Sequence, residues 1–195
     1  MRVTGAGEPA HLLLDVLDLV NAFGIPYAVI GAFAVSYHGV PRSTRDGDSI
    51  IWMHDGGQSG RDLQDHLAAA GYRVKLRRGD IEDPILQSLL IEDEFDNRVD
   101  LLSGVRGMDP DAAYRCVSAP LLDSTVRFIA AEDLIAMKIF AGGPQDMIDV
   151  AGILQVSRER LNPDLLLQVA QRYDAGVLDA LEKFLKQYPL DASGA

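Results

Sequence analysis

Apolar positions recur at helical spacing from residue 11 to 23. Leu12, Val16, Leu19, Val20 and Phe23 fall on one face and Asp15 and Asp18 on another, an amphipathic helix that Gly24 and Pro26 bring to an end. The rhythm then changes. YAVI (27–30) reads as a short apolar strand and runs straight into Gly31 and AFAVSYH, a short helix stopped at Gly39-Val40-Pro41. SIIWM (49–53) reads as a buried strand, HDGGQSG as a loop, and RDLQDHLAAAG as a helix closed by Gly71 in a left-handed cap. In YRVKLRRG (72–79), Tyr72, Val74 and Leu76 alternate with Arg73, Lys75 and Arg77. That period of two predicts a strand with one apolar and one basic face. Apolar runs at 85–92 and 97–102 joined by DEFDN predict a hairpin, and a second hairpin over 116–129 turns at Leu122-Asp123-Ser124.

From residue 130 the period is helical again. AEDLIAMKIFAG is apolar around most of its circumference, PQDMIDVAGIL has proline in its first turn, Asn162-Pro163 opens a third helix, and GVLDALEKFLKQY makes a fourth through Val177, Leu181, Phe184, Leu185 and Tyr188. The expected organisation is an α/β sheet domain over 1–128, with a helical region over 129–195 packed on it.

Composition narrows the class. The 195 residues are 48% hydrophobic, with a mean hydropathy of +0.04. No window approaches the roughly 18 apolar residues of a membrane span. MRVTGAGEPAH has no secretory signature, so the expectation is a soluble, cytoplasmic protein with no membrane partner. The single cysteine, Cys116, excludes an internal disulfide and reads as a small buried hydrophobe. Trp52 and the tyrosines read as core or core-edge residues. A net charge of −11 argues against broad nucleic-acid binding. It leaves one basic strip, residues 73 to 78, which reads either as a charged, protected sheet edge or as a phosphate-binding surface.

Candidate chemistry gathers elsewhere. Asp46 and Asp48 are two residues apart before an apolar run. If they open that strand, both carboxylates leave the same face, the arrangement that holds a divalent cation. In NRVDLL, Asp100 is a carboxylate inside an apolar strand, where an unpaired charge is expensive. A metal shared with Asp46 and Asp48 would give it a partner. Gly31, at a strand-to-helix turn, would let a phosphate approach backbone N–H groups. Lys138 comes out about 40° from Leu134 at 100° per residue. It therefore lies in the buried stripe, either snorkelling or pointing into an anionic site. Asp146 and Asp149 follow on the next helix and are near enough in sequence to orient it, although Asp146 reads first as a dipole-favoured helix-start acid. The histidines at 11, 38, 54 and 66 lack metal-ligand spacing, His38 reads as a loop residue, and no Walker-type lysine loop or Gly-x-Ser-x-Gly turn occurs.

A strand, Gly31-Ala32, a short helix, then Arg42-Ser43-Thr44-Arg45-Asp46-Gly47-Asp48 with an apolar strand and a later strand aspartate, resembles the nucleotidyltransferase superfamily related to DNA polymerase beta. AEDLIAMKIFAGGPQDMIDVAGIL resembles the downstream element of its AbiEii-like branch, which includes many toxins of bacterial toxin–antitoxin pairs; the likeness covers roughly residues 25 to 155. The resemblance implies a mixed sheet flanked by helices, with magnesium on Asp46, Asp48 and Asp100. A nucleoside triphosphate would be bound by Gly31, Ala32, Ser43, Arg45 and Lys138. The nucleotidyl group would go to a hydroxyl of RNA, protein or a small molecule, and an antitoxin protein is an implied partner. Departures from the pattern stand out: Ala32 for a second glycine or a serine, Gly47 between the aspartates, Ser49 where an apolar residue is usual, and Gly143 and Gln145 in a stretch that often holds an arginine or lysine. They keep a second reading open, a binding or regulatory module with the same fold but little or no turnover.

Overall fold

The structure, a computed structural model, describes residues 1–53, 59–80 and 82–190. The chain divides into two units, one of residues 1–33, 43–106 and 117–128 and one of residues 34–42, 107–116 and 129 onward. The passage at residue 128 is thus one of several between them. Most of the HDGGQSG loop expected before the second long helix lies outside the described residues.

The first unit contains α1 (Pro9–Ala22), β1 (Tyr27–Val29), the first turn of α2 (Gly31–Tyr37), β2 (Asp46–Ile51), α3 (Gly60–Ala69), β3 (Arg73–Arg78), β4 (Ile85–Glu92) and β5 (Arg98–Val105). After an excursion through the other unit the chain returns with the hairpin strands β6 (Val117–Leu121) and β7 (Ser124–Phe128). All seven strands form one sheet in the order β3-β4-β5-β2-β1-β7-β6. β2 pairs parallel with β5 and β1 parallel with β7; the other neighbours are antiparallel. The sheet is mixed and the fold α/β, as expected.

Alternation along the strands decides what covers the outer half of this sheet. Leu89, Ile91, Val99 and Leu101 are fully buried, as are Leu12, Leu13, Val16 and Val20 of α1 and Leu63 and Leu67 of α3. These side chains make one core beneath the two helices, each large aliphatic contributing about 1.5–3 kcal/mol on burial. α3 starts with a capping box in which Ser59 accepts from the Asp62 N–H and Asp62 returns the bond. Asp15, expected on the solvated face of α1, is buried instead. It accepts from the backbone N–H groups of Arg2 (2.6 Å) and Val3 (3.4 Å) and from the Arg2 guanidinium (3.1 Å), so the N-terminal segment lies against that face. Leu122 holds a φ of +52° at the β6–β7 turn, the strained position of a two-residue hairpin.

The second unit holds the rest of α2, α4 (Ala112–Arg115), α5 (Ala131–Ala141), α6 (Pro144–Ser157), a 3₁₀ turn (Arg158–Arg160), α7 (Pro163–Gln171) and α8 (Ala175–Gln187). α5 is the central element, with Leu134, Ile135 and Ala136 fully buried and α6, α7 and α8 packed around it. That explains its apolar circumference. Asn162 caps α7, its side chain accepting from the N–H groups of Asp164 and Leu165 at 3.1 Å each. Two expectations change here. Cys116 is only half-buried, with its Sγ 3.3 Å from the Ala112 carbonyl, because it ends the short α4 and leaves the core there. Tyr114, on the outer side of the same short helix, is 86% exposed and belongs to no core. Among the described residues no helix is long and apolar enough to cross a membrane.

Candidate functional site

Asp46 and Asp48 do open β2, three residues ahead of the apolar run that announces the strand. Their register settles the face. β2 and β5 run side by side with Asp46 opposite Arg98, Gly47 opposite Val99 and Asp48 opposite Asp100. Register partners in a sheet project to the same side. Asp46, Asp48 and Asp100 therefore share one face, and Gly47, Ser49 and Val99 take the face under α1. The Asp100 carboxyl is held above the ordinary carboxylate range, first by burial and next by the charge of Asp46, while Arg77 and Arg98 oppose that shift. Among the described residues no group of three or more His, Cys, Asp or Glu side chains is arranged to hold a metal ion as it stands. The backbone juxtaposes the three carboxylates; the side chains are not gathered into a coordination shell.

Gly31 sits directly against this pair. Its φ is +60°, and a Cβ built on it would overlap the Asp48 carboxylate. Both conformation and space exclude a side chain there. The preceding residue, Ile30, donates its N–H to the Asp48 carbonyl at 2.9 Å, tying the end of β1 to β2 beside the carboxylate. Ala32 is buried. Ser43 and Arg45 are exposed just before β2. Between them Thr44, which the sequence did not single out, donates its hydroxyl to the Asp46 carbonyl (2.9 Å) and accepts from the Asp46 N–H (3.2 Å), fixing the strand entry.

Of the two departures in β2, Gly47 has a packing cause and Ser49 has none. A Cβ on Gly47 would stand 3.0 Å from Leu13 Cβ and 3.3 Å from Val99 Cγ2. The glycine therefore lets α1 close down on the strand that carries the aspartates. Ser49 is fully buried on that same side, and its Oγ has no hydrogen-bond partner among the described residues.

On the aspartate side, the outer strands continue the face as ordered rows. One row runs Lys75, Leu90, Asp100, Asp48; the next runs Arg77, Ser88, Leu102, Ile50; a third runs Arg73, Glu92, Arg98, Asp46. In the third, Arg98 bonds Glu92 at 2.8 Å and Arg73 bonds Asp96 at 2.8 Å. Lys75 and Arg77 are exposed and make no hydrogen bond or ion pair among the described residues. The sheet-edge reading of the basic strip holds, since β3 ends the sheet, and its exposed Lys75 and Arg77 lie on the face that carries the aspartates.

In the helical unit, Lys138 is buried at 5% exposure, and its ammonium is held by Asp146 (2.8 Å) and Asp149 (2.7 Å). Asp146 is thus an ion-pair partner and not only a helix-start acid. Asp149, 1% exposed, also accepts from Arg42 (2.6 Å) and Gln145 (3.0 Å). His38 is buried, its Nε2 2.9 Å from the Ile129 carbonyl, and burial lowers its pKa. His38 lies in the turn after α2, as read from the sequence, and is buried there.

Protein-family models give no match to the chain, and curated proteins compared by sequence give none either. Solved structures do match. The chain superposes on an antigenic nucleotidyltransferase-like protein from Paracoccidioides brasiliensis with a TM-score of 0.56 at 14% identity, over 96% of this chain and 92% of that one. The solution structure of the antibiotic-resistance factor ANT(2'')-Ia gives a TM-score of 0.58 at 14% identity, over 91% and 97%. The lincomycin-bound lincosamide antibiotic adenylyltransferase LnuA gives 0.51 at 14%, over 78% and 99%. The fold is that of the nucleotidyltransferases, and at this identity the likeness is one of fold.

Proposed function

We propose that the protein is a nucleotidyltransferase whose site is built on Asp46, Asp48 and Asp100. The observation that carries this is the β2–β5 register, which sets Asp48 beside Asp100 with Asp46 two residues away on the same face, with the positive-φ turn at Gly31 packed against Asp48. The donor set fits magnesium. It is made of carboxylate oxygens only, as hard divalent cations require, and its like charges repel strongly enough for Asp46 to raise Asp100. A bound magnesium would neutralise the triphosphate and make the attacking oxygen more nucleophilic. Gly31 leaves the backbone open to the phosphate chain, and exposed Ser43 and Arg45 at the entry of β2 are its polar neighbours. In the reaction the acceptor hydroxyl oxygen bonds to the α-phosphorus and the bond from that phosphorus to the β-bridging oxygen breaks. Pyrophosphate leaves, and the hydroxyl proton passes to an aspartate. Lys138 is neutralised within its own unit and is given no part in this reading.

The test is calorimetric binding of each nucleoside triphosphate with magnesium, wild type against Asp48→Ala, followed by transfer of labelled nucleotide into a cell extract. Binding abolished by Asp48→Ala together with label uptake is the expected result; absence of triphosphate binding by the wild type sinks the proposal. Tight binding without uptake by any acceptor would favour a non-catalytic module, the reading to which the ungathered carboxylates lend weight. A toxin role and an antitoxin partner rest on the AbiEii-like sequence resemblance. Growth arrest on expression, absent in Asp48→Ala, is the outcome that role requires.

A further inference from the structure

The two flanks of the aspartate pair differ chemically. Towards β1 lies the Gly31 turn. Towards the sheet edge the same face carries Leu90, Ser88 and Leu102, all half-buried, Leu86 at 54% exposure, and then the exposed cations Lys75 and Arg77, which make no hydrogen bond or ion pair among the described residues. From Asp48 to Lys75 is three strand spacings, about 14 Å at about 4.8 Å each, and the long lysine and arginine stems shorten that gap. A charged edge strand resists stray pairing whichever way its cations point. These two point to the side of the carboxylates, and Arg78 suffices for the other side.

We infer that the open face of β3, β4 and β5 is the acceptor platform, and that the acceptor is a small hydroxyl compound carrying a phosphate group. The proposal rests on the nucleotidyltransferase reading and names its second substrate. The acceptor's phosphate meets Lys75 and Arg77, its carbon skeleton lies over Leu90 and Leu102, and its hydroxyl faces the aspartates. That hydroxyl then takes the nucleotidyl group with pyrophosphate leaving, as above. A polynucleotide fits less well. Among the described strand residues of this face only Lys75 and Arg77 are cations without a hydrogen bond or ion pair, the chain carries a net charge of −11, and none of those strand residues is aromatic, so a base has nothing there to stack on.

Three measurements test it. Inorganic phosphate added to ¹⁵N-labelled protein should shift the amide signals around Lys75, Arg77 and Leu90; their silence would overturn the platform whatever the protein does with nucleotides. Labelled triphosphate with the small-molecule fraction of an extract should yield labelled products that vanish when the fraction is first treated with phosphatase. Label in RNA, or in phosphatase-resistant acceptors, would overturn the proposal. Finally, Lys75→Glu/Arg77→Glu, on exposed positions, should cut that labelling about tenfold or more while triphosphate binding persists. If triphosphate binding falls with it, the cations serve the nucleotide and the acceptor assignment is wrong. If the wild type binds no triphosphate but phosphate still shifts the β3 signals, the nucleotidyltransferase reading fails and the anion site stands.

Discussion

Gly31 and Gly47 both stand next to the carboxylates, and each leaves room for a different neighbour. At Gly31 the space belongs to the Asp48 side chain, and the backbone has a positive φ as well. Gly31→Ala is therefore expected to push Asp48 aside and abolish magnesium-dependent triphosphate binding. Calorimetry detects the loss, and circular dichroism verifies that the fold survives. At Gly47 the space belongs to Leu13 of α1. The departure at Gly47 is thus a close helix–sheet contact. Ser49 is the real anomaly of the strand, a buried hydroxyl without a partner among the described residues. Such a group costs about 1–3 kcal/mol, so Ser49→Ala should raise the urea midpoint, and a fall in that midpoint would mean the hydroxyl is satisfied.

Among the elements, the α5–α6 pair is held by charge as much as by apolar packing. Asp149 neutralises two cations, Lys138 and Arg42, the second of them in the segment leading out of α2. Asp149→Ala would leave Lys138 with Asp146 alone and Arg42 without its carboxylate. Breaking a buried pair from one side costs about 3–5 kcal/mol, to be read in urea unfolding; Lys138→Met in the same background should recover part of it. Little of this was legible in the sequence. The strands and long helices were, because alternation and 3.6-residue periodicity are local properties. That Asp46 and Asp48 share a face was also within reach, since parity along one strand fixes it; that Asp100 joins them depends on the pairing of β2 with β5, which no local pattern encodes. The lock of Thr44 on Asp46, the α4 turn and the 3₁₀ turn were not, being too short to leave a period. The pairing of Lys138 with acids eight and eleven residues on depends on how the α5–α6 turn at Gly142 folds back, and the role of Gly47 depends on a helix more than thirty positions earlier.

For the molecule as a whole, one contribution to the acid side of its stability profile comes from the helical unit. His38 is buried, and its pKa lies below the ordinary histidine value because burial disfavours the imidazolium. A cation whose folded pKa is depressed contributes stability that is present above the unfolded value near 6.5 and is lost as pH falls through the folded value. Wild-type protein should therefore lose stability between pH 6 and 4 more steeply than His38→Gln. Equal slopes in denaturant titrations would show that this imidazole does not contribute.

The parallel pairing of β2 with β5 also shapes how the protein is made. Parallel neighbours cannot be joined by a tight turn, so everything from residue 52 to 97, including α3, β3 and β4, is the crossover between the strand bearing Asp48 and the strand bearing Asp100. Loop closure over such a span is slow. A nascent chain on the ribosome carries Asp46 and Asp48 long before Asp100 emerges, so the proposed site would be incomplete until β5 has paired with β2.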